Sequence, residues 1–135
     1  MAQGVVKKMK VDMGPVILVV DDETDSADLL GKILEMLLPE AVVQVAYGGL
    51  AALETAKQCR PDAAVLDLEM PEFDGEKLAM ALRAAFPDAT PLLIALSGNV
   101  SRLATVGGNG TFDHHMSKPA DVDGLVRFLS AGRLP

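Results

Sequence analysis

Short strand-like runs alternate with helix-like stretches in five units, and this alternation constrains the fold more than anything else in the chain. Val16 to Val20 is a run rich in β-branched residues, and Leu30, Ile33, Leu34, Leu37 and Leu38 then repeat at helical spacing until Pro39 stops them. Ala41 to Ala46 reads as the second strand, followed by a helix that opens at Gly48-Gly49 and runs through Leu50, Leu53 and Ala56 to about Arg60. Ala63 to Leu68 is the third strand, and the third helix runs from about Glu76 to near Pro87 with Leu78, Ala81, Leu82 and Ala85 on one face. Leu92 to Leu96 and His114 to Ser117 are the last strands, and Asp121 can cap a final helix that faces the core with Val122, Leu125, Val126 and Leu129. Parallel neighbours need a crossover between them, so the pattern predicts an α/β protein: a doubly wound, five-stranded parallel sheet with helices on both faces. The common strand order for such a sheet is 2-1-3-4-5.

Four of the predicted strands carry polar groups at their ends: Asp21-Asp22, Asp67, Ser97 and Lys118. Asp67 is followed by an abrupt turn through Met70-Pro71 to Asp74-Gly75, and Lys118 by Pro119. Each acid alone would pass as a helix N-terminal residue or a turn residue. The predicted order makes strands one and three neighbours at the switch point, so Asp21, Asp22 and Asp67 converge on one crevice at the carboxyl edge of the sheet. Carboxylates held together repel, and one takes up a proton unless a cation intervenes. A hard divalent ion with oxygen ligands relieves this, and Mg²⁺ suits a site with few protein ligands and several waters.

Composition narrows the function. With 135 residues, half of them hydrophobic, one domain with one core is expected: a tail over residues 1–14 and a folded unit over 15–133. The formal net charge is -7 and the cations are scattered apart from Lys7, Lys8 and Lys10, which argues against direct nucleic-acid binding. No apolar stretch approaches a membrane span, and the basic tail lacks a following secretory h-region, so no membrane association and a reducing cytoplasm are expected. The single cysteine, Cys59, cannot form an internal disulfide and reads as a half-buried structural thiol. Only 17 residues follow Lys118, room for the last helix alone, so no DNA-binding output domain is expected.

The set Val19-Val20-Asp21-Asp22-Glu23, Asp67 with Met70-Pro71 and Gly75, Ser97-Gly98 and Lys118-Pro119 resembles the receiver domain of two-component response regulators, over residues 16–131. The resemblance implies a flavodoxin-like receiver fold and a phosphoacceptor signalling role rather than an enzyme acting on an external substrate. It implies Asp67 as the acceptor of phosphoryl from a phosphohistidine on a sensor histidine kinase or histidine phosphotransfer protein. It assigns Mg²⁺ to Asp22, Asp67 and the backbone carbonyl of Glu69, with Asp21 acting through water. It makes Lys118, aimed by a cis bond to Pro119, the fixed positive charge for the phosphoryl oxygens. Ser97 becomes the switch hydroxyl and His115 its rotating partner, and a downstream protein target reads the altered face. Histidine at 115 departs from the commoner Tyr or Phe; Phe112-Asp113-His114-His115-Met116-Ser117-Lys118-Pro119 is similar to receivers of hybrid histidine kinases, and a stand-alone single-domain regulator is equally compatible.

Two other classes stay open on the residues. A magnesium-dependent phosphohydrolase with an aspartyl nucleophile would want an Asp-x-Asp, whereas Asp67 is followed by Leu68-Glu69. A receiver-like module that only binds proteins would not need the full acid, hydroxyl and lysine set. His114 has no assigned role, and metal binding by the adjacent His114 and His115 is disfavoured because neighbours on a strand point to opposite faces. Gly107, Gly108 and Gly110 each cost about 1 kcal/mol in a helix interior, so the segment Asn99 to Gly110 is expected to be short, mobile or both.

Overall fold

A computed structural model describes residues 14–107 and 110–131; residues 1–13 of the expected tail, Gly108 and the chain beyond residue 131 lie outside the described residues. The elements are β1 Val16–Val20, α1 Thr24–Leu37, β2 Val42–Ala46, α2 Gly49–Gln58, β3 Ala63–Asp67, α3 Gly75–Ala85, β4 Leu92–Ser97, α4 Val100–Gly107, β5 His114–Ser117 and α5 Val122–Ala131. The strands form one sheet in the order β2-β1-β3-β4-β5, every neighbouring pair parallel, as the alternation predicts.

The sheet carries a core on each face because β1, β3 and β4 are apolar on both sides. Leu18, Val20, Ala64, Leu66 and Leu93 pack with Ala52 and Ala56 of α2 and Leu78 and Leu82 of α3. On the other face Ile17, Val19, Val65 and Ile94 meet Leu34 of α1 and Leu125 and Leu129 of α5. A smaller cluster of Leu68, Ala95, Leu103 and Val106 lies under α4. All of β3 is buried, whereas β5 alternates half-buried and exposed positions, as an edge strand does.

Several boundaries differ from the sequence reading by a residue or more. The helix predicted from Leu30 begins at Thr24, because its first turn is polar and mostly exposed and carries no apolar period. α3 begins at Gly75 with Asp74 as its cap, the Asp74 carboxylate accepting from the Lys77 amide at 2.9 Å. The segment after Ser97 holds an eight-residue helix, the shortest of the described helices, in keeping with the short segment its glycines predict. Gly107 stands at the end of that helix and Gly110 beyond it with φ 76, so neither bears the interior cost. Asp121 caps α5 as expected, accepting from the Gly124 amide, and Cys59 is half-buried where α2 ends.

Candidate phosphoacceptor site

Strand register builds the site. Val20 pairs with both Ala46 and Leu66, so β1 and β3 end level, and Asp21 and the terminal Asp67 emerge side by side. Asp67 pairs with Leu96 and Ser97 with Ser117, which brings the hydroxyl and then Lys118 to the same edge. The Lys118 amide donates to the Ser97 carbonyl at 2.9 Å, and the Lys118–Pro119 peptide is cis. Gly75 is fixed by contact: a Cβ there would collide with the Asp67 carbonyl, so α3 starts hard against the end of β3. The turn between them passes through Glu72 at φ 70, the left-handed region.

One carboxylate oxygen from each of Asp21, Asp22 and Asp67 lies within 4.8 Å of the others. Asp67 is 2 % and Asp21 7 % exposed, while Asp22 stands at the solvent mouth. The Lys118 ammonium bridges the buried pair, 3.3 Å from Asp21 Oδ2 and 3.2 Å from Asp67 Oδ1. Burial, and then the Asp21 charge, push the Asp67 carboxyl up to about 6 against the lowering effect of Lys118 and the Glu69 amide. Burial works against the lysine charge, but Asp67 and then Asp21 outweigh it and raise Lys118. One lysine therefore does not satisfy the acids, and a site of hard oxygens that still holds a raised carboxyl fits a divalent cation.

Ser97 is completely buried, and its hydroxyl donates to Glu69 Oε2 at 2.5 Å and accepts from the Asn99 amide at 2.9 Å. Glu69 Oε1 accepts from the Gly98 amide at 3.2 Å, and the Glu69 amide donates to Asp67 Oδ1 at 3.2 Å. Asp21 Oδ1 accepts from the Glu23 amide at 3.0 Å, which fixes its carboxylate towards the crevice.

Residues 17–130 match the response regulator receiver domain family. The chain belongs to that family. It is a phosphoacceptor signalling domain of the two-component type, with a flavodoxin-like fold. This receiver is 36% identical over 118 residues to the transcriptional regulatory protein PrrA of Mycobacterium leprae, covering 87% of this chain and 49% of that one. It is 33% identical over 119 residues to a protein-glutamate methylesterase/protein-glutamine glutaminase of a Nocardioides species, covering 87% of this chain and 32% of the other. The chain thus spans half or less of the length of these curated relatives. The receiver domain of the Francisella response regulator 1452 superposes with a TM-score of 0.72 at 28% identity, covering 84% of this chain and 92% of that one. A receiver domain of a DNA-binding response regulator from Colwellia psychrerythraea gives 0.76 at 25% identity, covering 86% and 95%.

Of the residues singled out from the sequence, Asp21, Asp22, Asp67 and Lys118 meet in one crevice of the receiver. Ser97 ends the adjoining strand with its hydroxyl engaged by Glu69. His115 is exposed on β5, on the face shared with Ala95, and is not in the crevice. His114 takes the other face, its ring stacked on Phe128 of α5 at 3.8 Å and 4°. Sequence reasoning missed the Glu69 carboxylate and the ion pair of Arg102 in α4 with Asp74 at 2.8 Å. An acid two residues after Asp67, and a cation near the start of a helix facing an acid at the start of another, were the available signals.

Proposed function

We propose that Asp67 is the phosphoacceptor of this receiver. The observation that carries it is the pairing of a buried carboxyl at a strand end with the Lys118 ammonium 3.2 Å away and two further carboxylates beside it. An Asp67 oxygen attacks the phosphorus of a phosphohistidine, an acyl phosphate forms, and the bond to the imidazole nitrogen breaks. Lys118 supplies fixed positive charge for the developing phosphoryl charge, so it belongs to the transition-state machinery rather than to binding alone. Asp22, Asp67 and the Glu69 carbonyl, with Asp21 through water, would hold Mg²⁺, which neutralises phosphoryl oxygens when bound. Asp67 must be ionised to attack; its carboxyl is raised to about 6 by burial and the Asp21 charge, and a bound cation would favour the ionised form.

A groove of about 490 Å³ runs from Asp21 and Lys118 along Leu29, Leu30 and Ile33 of α1 to Pro119 and Val122. Its apolar floor beside the acids supports a protein donor, a sensor histidine kinase or histidine phosphotransfer protein. Phosphoryl on Asp67 then draws the Ser97 hydroxyl, moves the loop after β4 and lets His115 turn inward, altering the α4–β5–α5 face for a downstream protein target. The receiver carries no reaction of its own beyond phosphorylation and slow self-dephosphorylation, and it works in the cytoplasm; no described helix is long and apolar enough to cross a membrane. Intact-mass measurement with acetyl phosphate tests the assignment. One added phosphoryl is expected with Mg²⁺, none with EDTA and none in Asp67→Asn; equal labelling of Asp67→Asn overturns it.

A further inference from the structure

Two donors at the end of β4, the Ser97 hydroxyl and the Gly98 amide, are both taken by the carboxylate of Glu69, at 2.5 and 3.2 Å. Glu69 comes from the loop that follows Asp67, and its own amide donates to Asp67 Oδ1. Its side chain is exposed apart from this contact, so nothing in the core requires it to point there. Ser97 by contrast is fully buried, with Glu69 and the Asn99 backbone as the partners of its hydroxyl. A carboxylate and a phosphoryl oxygen seek the same donors, and charge-assisted hydrogen bonds of this kind are the strong ones. A dianionic group on Asp67 and an anionic carboxylate on the next loop residue but one also repel.

We propose that the Glu69 carboxylate is a built-in competitor of the phosphoryl group, a positioning residue that holds Ser97 and Gly98 until Asp67 is phosphorylated. The inference rests on the reading of Asp67 as phosphoacceptor. In the unphosphorylated chain Glu69 clasps the loop after β3 to the loop after β4 and fixes the start of α4. Phosphorylation expels it, because one hydroxyl proton cannot serve both anions, and Ser97 and Gly98 pass to the phosphoryl oxygens. Arg102, already 2.8 Å from Asp74 and 3.6 Å from Glu76, lies close enough to feel the Glu69 charge and offers the released carboxylate a new partner. The exchange couples chemistry at β3 to the position of α4 through a single side chain.

Beryllofluoride, a phosphoryl mimic at Asp67, provides the test: it is titrated in excess Mg²⁺ and followed through the backbone amide signal of Gly98. The variants are Glu69→Ala, Glu69→Gln, Ser97→Ala and the double variant Glu69→Ala with Ser97→Ala. Releasing a competitor held by two bonds to a charged group should tighten binding by about 10-fold in Glu69→Ala, with Glu69→Gln between it and the natural chain. Most of that gain should vanish in the Ser97→Ala background, which a merely structural or purely electrostatic role would leave intact. If the natural chain binds beryllofluoride while the Glu69 variants bind no more tightly, or the two substitutions are simply additive, the competitor is overturned and the phosphoacceptor stands. If the natural chain itself binds none, both fall together.

Discussion

The two halves of the carboxyl edge are built differently. β1 and β3, which carry the acids, are buried on both faces and end in register, and Asp67 leaves a strand with no exposed residue. The other half is a four-residue edge strand with alternate residues exposed, an eight-residue helix and a small cluster centred on Leu103 and Val106. The first half holds its carboxylates at the ends of strands packed on both faces. The second is joined to the first by the packing of Leu103 and Val106 on Leu68 and by polar contacts: Glu69 to Ser97 and Gly98, Arg102 to Asp74, and Arg83 to the Thr111 carbonyl at 2.6 Å. A receiver needs both, a fixed site and a yielding neighbour, because a small local change has to select between packings of a bistable element.

The largest effect that sharpens this contrast is on stability. Leu66→Ala, at a fully buried position of β3, should cost about 3–5 kcal/mol in urea denaturation, and Leu103→Ala under α4 about 2 kcal/mol or less. Equal losses would mean that the α4 side is as integral to the core as β3.

Next comes the strain at the acids. The folded carboxyl of Asp67 is raised to about 6 from an ordinary 3.8, so the folded chain binds the extra proton between those values. Without metal, stability from this group is fully present below about pH 4 and lost as pH rises through 6, by up to about 3 kcal/mol. Asp67→Asn should flatten that dependence, and Mg²⁺ at 100 times its dissociation constant should restore about 2.7 kcal/mol at neutral pH. Asp22→Ala should weaken the ion most. Thermal melts at pH 4 and 7, with Mg²⁺ or EDTA, check each step; identical midpoints with and without the ion would remove the metal from the site.

The smallest effect concerns the ties. Arg102→Ala removes a partly exposed ion pair and should cost less than about 1 kcal/mol of global stability. It should nevertheless speed amide exchange across α4, since that pair joins α4 to the start of α3.

These two halves were unequally legible in the sequence. Val16 to Val20, Ala63 to Leu66 and Leu92 to Leu96 announce themselves because a strand buried on both faces is a continuous apolar run, and the acids at their ends then follow from strand order. The α4 segment reads as short from its glycines, and it holds the shortest of the described helices, which ends at Gly107. Glu69 was noted only for its carbonyl: a side chain that reaches back to the next strand end leaves no period in the sequence and becomes visible only when β3 and β4 are set side by side. His114 had no role until its stacking on Phe128 gave it one.

Amide hydrogen exchange with and without beryllofluoride, in Mg²⁺, tests most directly that a fixed acidic half is answered by a yielding one. The account predicts altered protection across residues 99 to 116 together with the loops at Asp21 and Asp67, and little change in the interior of β1 and β3. Protection changes confined to the acidic crevice, with none across 99 to 116, would contradict it and leave the chain a passive carrier of phosphoryl.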